Sequence, residues 1–296
     1  LGSSLFCSPP ERRFNDGLCL IGSGEMNVIL DNWLHAFYGD GPERPVHEGR
    51  GDGVAPAALR KGICDLAPMA RPMSDSEVHS LVGVFGAPPV AVPVAVEGLA
   101  VIAPAHTLLE SISLDEVRTV FGEAPHILRD LFAEVVDTEH HNRSLGVLGQ
   151  NSASNRYRWF KESVLKGEPF SDRVLELAGP LELVDRVGQS RHDFGYARPS
   201  ELTDAVVALP IQVGEGADAV APTRAAIVNG EYPIRRFYYI YLPPAQAVAN
   251  RPNSAAVELV RKMLEPESQA MLEAVGLYPL SEERRLASLE QLAVFD

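Results

Sequence analysis

Two glycine-bounded turns are the segments of this sequence best suited to binding chemistry. The first spans residues 22–24 and is followed by Glu25 and Met26; the second spans residues 49–53 and contains Asp52. Each turn follows a short apolar run and precedes residues at helical spacing, so each is predicted to end a strand and begin a helix. A helix start presents unpaired backbone N–H groups and the positive end of the helix dipole, which together can bind a small anion. The same spacing also fits a strand–helix connection that binds no ligand.

The elements that would position these turns alternate along the chain. Residues 18–21 are predicted as a strand and residues 26–37 as a helix. A second strand at 45–47 and a helix at 55–61, with Pro56 in its first turn, repeat this unit. Short strands that alternate with helices predict an α/β architecture in which helices cover the sheets.

Two longer segments are rich in β-forming residues. Residues 88–103 contain too much proline and valine for a helix, and residues 236–242 form a second such run. Two extended crossings around an inserted block predict a two-lobed protein with two hinge strands, although two core strands of one large sheet would give the same pattern. The pair Gly179-Pro180 predicts a turn. Helical spacing predicts further helices at residues 113–121, 127–136, 155–164, 254–264 and 267–275.

The composition excludes several classes of protein. The chain has 296 residues, 46% of them hydrophobic and 22% charged, which suits one large domain or two smaller ones. Its formal net charge of −14 argues against a nucleic-acid partner, because binding to nucleic acid needs clustered Lys and Arg. No apolar run is long enough to predict a transmembrane segment. Residues 1–10 lack the basic start and apolar stretch of a secretory leader, so a leader is expected to be absent from this chain.

Enzymatic and metal sites are not predicted. Cys7, Cys19 and Cys64 lack metal-ligand or redox spacing. Cys7 and Cys19 could form a disulfide in an oxidising compartment, whereas Cys64 in its apolar segment is interpreted as a packing residue. The histidine pair at residues 140–141 lacks the i, i+4 spacing of a metal site, and Ser23 lacks a complete nucleophile-elbow motif. We therefore expect no metal, no cofactor and no catalytic activity.

Several short sequence blocks follow one another in a distinctive order within residues 18–282. The blocks are Gly22-Ser23-x-x-Met26, Gly49-x-Gly51-x-Gly53 with Pro56-Ala57-x-Leu59, Asp65-Leu66-Ala67-Pro68-Met69-x-Arg71-Pro72-Met73-Ser74-x-x-Glu77, residues 114–121, Ser152-Ala153-Ser154-x-x-Tyr157-x-x-Phe160-Lys161-Glu162, Gly195-Tyr196-Ala197, Gly230-Glu231-Tyr232-Pro233-Ile234-x-Arg236 and Gly276-Leu277-Tyr278-Pro279-Leu280. In these blocks and their order the sequence resembles the substrate-binding proteins of phosphate ABC transporters.

The resemblance implies a type II periplasmic-binding-protein fold, with two α/β lobes, two hinge strands and a ligand cleft between the lobes. Residues 18–98 and 238–296 would form lobe 1, and residues 99–237 would form lobe 2. The resemblance also implies a periplasmic or other extracytoplasmic location, hinge closure on phosphate or a related small oxyanion, and docking to an ABC-transporter permease. The residues that it assigns to ligand binding are Glu25, Met26, Asp52, Gly53, Arg71, Gln150, Ser154, Asn155 and Arg156.

Several of these positions depart from the family pattern. Glu25 stands where Thr is usual, Asp52 where Ser is usual, and Gln150 where Arg is usual. Asn155 and Arg156 replace a usual Gly-Thr. A carboxylate about 4 Å from an anion costs on the order of 4 kcal/mol at an effective dielectric near 20, which exceeds the roughly 0.3–2 kcal/mol that a helix dipole contributes.

Three interpretations follow from these departures. In the first, the site still binds an oxyanion because Arg71 and Arg156 neutralise the two carboxylates. In the second, the site binds a different small polar ligand, such as a zwitterion or a polyol. In the third, ligand binding is lost and the chain is a structural or partner-binding module.

Overall fold

The computed structural model describes residues 17–123, 146–245 and 254–296. The predicted helix at 127–136, the histidine pair at 140–141 and Cys7 lie outside the described residues. Within the described ranges, no helix is both long and apolar enough to cross a membrane. The same ranges contain no group of three metal-ligating side chains arranged to hold an ion.

Strands and helices follow one another along the chain as the sequence pattern predicts. The strands are β1 (Cys19–Gly22), β2 (Val46–Gly49), β3 (Ala67–Met69), β4 (Val90–Gly98), β5 (Ala100–Pro104), β6 (Ile112–Ser113), β7 (Val147–Gln150), β8 (Val174–Leu177), β9 (Gly195–Ala197), β10 (Val206–Ala208), β11 (Ile211–Gln212), β12 (Ala219–Val220) and β13 (Arg235–Leu242). The α-helices are α1 (Asn27–Tyr38), α2 (Ala55–Arg60), α3 (Asp75–Phe85), α4 (Leu114–Arg118), α5 (Asn155–Ser163), α6 (Pro180–Gln189), α7 (Arg224–Asn229), α8 (Ser254–Met263), α9 (Pro266–Ala270) and α10 (Glu282–Leu292). A π-helical turn at Thr119–Glu123 continues α4, and short 3-10 helices span Gly24–Met26, Pro199–Glu201, Glu273–Val275 and Ala293–Phe295.

The chain divides into two compact units. Of the described residues, the first unit contains those up to Ala95 and those within Phe237–Val275 and Glu282–Asp296. The second unit contains the described residues within Val96–Arg236 and Gly276–Ser281. Strands β4 and β13 each contain a point at which the chain passes from one unit to the other.

One short segment is assigned differently from the predicted domain bounds. The predicted lobe 1 range of 238–296 includes Gly276–Ser281, which belongs to the second unit. The physical reason is local strand pairing: Tyr278 donates a backbone hydrogen bond to Val96 at 2.8 Å and accepts one from it at 3.0 Å. The predicted lobe bounds stay a prediction, and these six residues are the segment in which they differ from the two compact units.

The first unit brings the two glycine turns together. Strands β1 and β2 are parallel, and Gly22 and Gly49 are the last pair in register. Because parallel strands end at the same edge of a sheet, the turns that follow them lie side by side. A Cβ atom at Gly22 would collide with the carbonyl oxygen of Pro68, so only glycine allows this close approach. Helix α1 is held by buried Trp33, whose indole N–H donates to the carbonyl oxygen of Ser268 at 2.8 Å.

The two described cysteines lie in the apolar core of the first unit. Cys64 is buried there, which confirms its interpretation as a packing residue, and Cys19 is buried in the same cluster. Burial raises the pKa of Cys64 to about 12. Cys64 is therefore an unreactive thiol at neutral pH.

The second unit positions strand β7 and helix α5. Strand β5 pairs antiparallel with both β9 and β10, and the apolar face of α6 packs on this sheet. Strands β7 and β8 are parallel, with Gln150 opposite Leu177 at their ends. Phe160 on α5 stacks on Tyr196 of β9, with ring centroids 4.4 Å apart. These contacts fix the junction between β7 and α5.

Some elements differ from their predicted form for local reasons. The extended segment at 88–103 consists of two strands, β4 and β5. Gly179 and Pro180 begin helix α6 instead of forming a separate turn, because a proline at the first helical position loses no helical hydrogen bond. The predicted helix at 267–275 is split into α9 and a 3-10 helix, and α10 was not predicted.

Candidate functional site

The first half-site consists of the predicted ligand residues on the two glycine turns, Glu25, Met26, Asp52 and Gly53. The backbone N–H of Glu25 lies 3.4 Å from the hydroxyl oxygen of Ser23, which accepts from it. Met26 is fully buried, whereas Gly53 is exposed. The first unit therefore places these four predicted residues on adjacent turns.

Both carboxylates of the first half-site accept hydrogen bonds from the protein. Oδ1 of Asp52 accepts from the backbone N–H of Ala70 at 2.7 Å, and Asp52 is only 9% exposed. Oε2 of Glu25 accepts from the hydroxyl of buried Tyr238 at 3.3 Å. Each carboxylate therefore has one oxygen engaged by a donor of the protein.

Arg71 is bound to a neighbouring helix start. Its Nη1 and Nη2 atoms donate to the two carboxylate oxygens of Glu77, each at 2.8 Å. Glu77 also forms the capping box of α3 with Ser74, so the ion pair fixes the beginning of that helix. The hydrogen bonds between these two side chains lower the pKa of Glu77 and raise the pKa of Arg71. Arg71 is close enough to Asp52 to be affected by its charge.

The second half-site consists of Gln150, Ser154, Asn155 and Arg156, which lie where β7 ends and α5 begins. Ser154 caps the helix: its hydroxyl oxygen accepts from the backbone N–H of Arg156 at 3.1 Å. The same hydroxyl donates to Oε1 of Gln150 at 2.7 Å. Asn155 is the first residue of the helix. The second unit thus brings these four predicted residues together.

The Gln150 side chain is held in one orientation. The residue is 5% exposed, and its backbone N–H donates to the hydroxyl of Tyr196 at 3.1 Å. Because Oε1 accepts from Ser154, the amide nitrogen Nε2 is the remaining polar atom of the side chain. Nε2 is buried and has no hydrogen-bond acceptor among the residues that the structure describes. The helix start therefore carries a buried, unsatisfied donor.

An arginine–carboxylate cluster adjoins the second half-site and comprises Glu97, Arg156, Arg198, Glu201 and Arg236. Glu97 is fully buried, and its carboxylate contacts Arg198 and also Arg236 at 2.7 Å. Nε of Arg156 lies 3.7 Å from the same carboxylate. Oε2 of Glu201 accepts from Nη1 of Arg156 at 2.8 Å and from the backbone N–H of Arg198 at 2.9 Å. The cluster links helix α5 to strands β4 and β13.

The hydrogen-bonded partners of the two predicted arginines differ from the sequence interpretation. That interpretation paired Arg71 and Arg156 with the carboxylates of the first half-site. Arg71 bonds to Glu77 and Arg156 bonds to Glu201, each within its own unit. Arg71 also feels the charge of Asp52, and the neutralisation of the two carboxylates by these arginines stays a prediction.

Glu97 remains ionised in spite of its burial. Burial opposes ionisation and would raise the pKa, but Arg236, Arg198 and Arg156 together lower the pKa of Glu97 to about 2. Sequence reasoning missed this residue, although one signal was present. Glu97 is the only charged residue within the apolar segment 88–103, and a buried acid in a strand requires a cationic partner.

Comparison with known proteins gives a relative that matches most of the chain. No protein-family model matches it. The phosphate-binding protein PstS of Pseudomonas aeruginosa is 26% identical over 270 residues, which cover 89% of this chain and 83% of the relative. The chain is similar to this phosphate-binding protein over most of its length. The predicted family resemblance is therefore confirmed.

Solved structures give the same result for the fold. A protein from Planctomyces limnophilus, described as a possible phosphate binding protein, matches with a TM-score of 0.72 at 22% identity over 95% of this chain and 98% of that chain. An ABC-type phosphate transport receptor from Vibrio cholerae matches with a TM-score of 0.71 at 16% identity over 88% of this chain and 99% of that chain. These matches confirm the predicted fold class. The matched proteins are binding and transport proteins, which are not enzymes.

Proposed function

We propose that this chain is an extracytoplasmic solute-binding protein that binds inorganic phosphate, or a closely related oxyanion, and delivers it to the permease of an ABC transporter. The observation that carries the proposal is the buried Nε2 donor of Gln150 at the start of helix α5. A buried donor without an acceptor costs roughly 1–3 kcal/mol, and a ligand oxygen would recover this energy. The names of the relatives agree with an oxyanion as the ligand.

The second half-site offers donors suited to a tetrahedral anion. We assign Gln150, Ser154, Asn155 and Arg156 to the ligand. The start of α5 contributes backbone N–H groups and the positive end of a helix dipole. Arg156 contributes a guanidinium group, which forms charge-assisted hydrogen bonds to phosphate. Because the net charge of the chain is −14, these local donors must outweigh the field of the whole protein.

The first half-site suits an oxyanion that carries a proton. We assign Glu25, Met26, Asp52 and Gly53 to the same ligand class. A carboxylate can accept a hydrogen bond from the P–OH group of hydrogen phosphate, whereas sulfate carries no such proton at neutral pH. The carboxylates of Glu25 and Asp52 therefore favour hydrogen phosphate over sulfate and still allow an anion to bind. We assign Arg71 to the fold of α3 instead of the ligand.

The proposed role requires a location outside the cytoplasm. The binding protein of an ABC importer meets its solute there and releases it by docking to the membrane permease. A periplasmic or other extracytoplasmic location and a permease partner are therefore part of the proposal.

Titration calorimetry of the unsubstituted chain tests the proposal. We expect one phosphate to bind per chain. Sulfate should bind on the order of 100-fold more weakly, because a carboxylate of the first half-site would then face a sulfate oxygen that carries no proton. Melting temperatures with and without ligand give an independent readout. No heat and no thermal stabilisation at millimolar phosphate would refute the proposal. Stabilisation by a zwitterion or polyol would then indicate a changed ligand, and no stabilisation by any small molecule would indicate a structural module.

A further inference from the structure

Arg156, one of the residues of the second half-site, is held in a constrained position. It is the second residue of helix α5 and is 8% exposed. Its backbone N–H is bound to the Ser154 hydroxyl, while its Nη1 atom is bound to Glu201 at 2.8 Å. A guanidinium group binds an anion through its N–H groups. In Arg156, the N–H groups of Nη1 already face the carboxylate of Glu201.

Glu201 is itself fixed by its own backbone. It is the last residue of the 3-10 helix Pro199–Glu201, and its N–H donates to the carbonyl oxygen of Arg198 at 3.0 Å. In return, its side chain accepts from the backbone N–H of Arg198 at 2.9 Å. This reciprocal pair holds the carboxylate beside Arg156.

A carboxylate and a phosphate oxygen are acceptors of the same kind for a guanidinium group. We propose that Glu201 limits the affinity of the second half-site for phosphate by occupying Nη1 of Arg156 and by placing a negative charge beside the ligand. This inference rests on the proposed phosphate-binding function. Glu201 lies outside the set of ligand residues and still sets the strength of binding.

The alternative is that Glu201 positions Arg156 and thereby strengthens binding. Two observations favour the first role. The backbone of Arg156 is held by the Ser154 cap, and its side chain also lies 3.7 Å from fully buried Glu97, so its placement does not depend on Glu201 alone. A glutamine at position 201 would keep an acceptor oxygen for Arg156 while removing the charge.

The test compares phosphate affinities by calorimetry at one fixed salt concentration. We expect E201Q to lower the dissociation constant about tenfold. The matched control is E176Q, because Glu176 accepts from the backbone N–H of Ser152 in the turn before α5 and is exposed. This control is expected to change the constant less than about twofold, since an exposed charge is screened by solvent. In R156Q, the further change E201Q is expected to give no gain, because the competition requires Arg156.

Each outcome decides a separate claim. Unchanged or weaker phosphate binding in E201Q, or an equal gain in the R156Q background, would overturn the role of Glu201 while leaving the proposed function intact. No phosphate binding by the unsubstituted chain would overturn both. Circular dichroism and melting temperature without phosphate check the fold of each variant. Should E201Q not fold, E201D keeps the charge but withdraws it from Nη1, and an increase in affinity of a few fold is then the expected result.

Discussion

The hydroxyl of Ser154 donates a hydrogen bond of 2.7 Å to Oε1 of Gln150 and, as the cap of helix α5, accepts one from a backbone N–H of that helix. This relationship determines which end of the Gln150 amide is available. With Oε1 occupied, Nε2 is the atom that can donate to a ligand. The neutral side chain at a position where the family has arginine thus keeps a donor at the helix start, and the neighbouring positive charge comes from Arg156.

The first prediction concerns Gln150. Q150L keeps similar bulk but removes both the Nε2 donor and the acceptor of Ser154. We expect phosphate affinity to fall by about 10–100-fold, because the site loses one direct donor and the fixed orientation of its serine. Calorimetry gives the affinity. Q212L is the control, since the Gln212 amide donates to the carbonyl oxygen of Ala217 elsewhere in the second unit; an equal loss in both variants would contradict the assignment.

The sequence predicted the elements that carry the site because their signals are local. The apolar run before Gly22, the glycine turn and the helical spacing after it lie within about 20 consecutive residues. The same holds for the serine cap of α5. The role of Asp52 could not be predicted in this way, because its partner, the N–H of Ala70, is 18 residues away and adjoins it only through the packing of the first unit.

The arginine–carboxylate cluster was not predicted for the same physical reason. Glu97 and Arg236 are 139 residues apart and belong to different strands. A lone acid in an apolar run indicates that a cationic partner exists, but spacing in the sequence does not identify it. Arg71 shows the opposite case, because its partner Glu77 is only six residues away and forms the capping box of α3 with Ser74.

The second prediction concerns the stability of the second unit. E97Q removes the buried charge that three arginines share. We expect the free energy of unfolding to fall by about 3–5 kcal/mol, because the arginines are left buried without their common counter-charge. Urea denaturation followed by circular dichroism measures the loss. E182Q changes an exposed acid of the same unit and is expected to alter stability by less than about 0.5 kcal/mol.

The third prediction is the pH dependence of that contribution. The pKa of Glu97 is lowered to about 2 in the folded protein from its ordinary value of 4.5, so its ionised form stabilises the fold. The contribution, on the order of 3 kcal/mol, is fully present above the ordinary pKa and is lost as the pH falls towards the folded pKa. The difference in melting temperature between the unsubstituted chain and E97Q should therefore be constant above about pH 5 and shrink towards pH 2. A difference that does not change with pH would contradict this role of the Glu97 charge.

The fourth prediction concerns selectivity at the first half-site. D52N keeps an oxygen that can accept from the backbone N–H of Ala70, so stability should change by only about 1 kcal/mol. The amide nitrogen adds a donor that suits sulfate as well as phosphate. We expect the preference for phosphate over sulfate to fall by about tenfold or more, measured by competition between the two anions. D75N, on the exposed first turn of α3, is the control and should leave the preference unchanged.

A crystal structure of the chain grown with phosphate tests the central claim most directly. The account predicts a tetrahedral anion at the start of α5, with one oxygen within about 3.2 Å of Nε2 of Gln150 and the Ser154–Gln150 hydrogen bond retained. A phosphate bound elsewhere, or a Gln150 amide turned so that Nε2 donates to an acceptor of the protein, would contradict it.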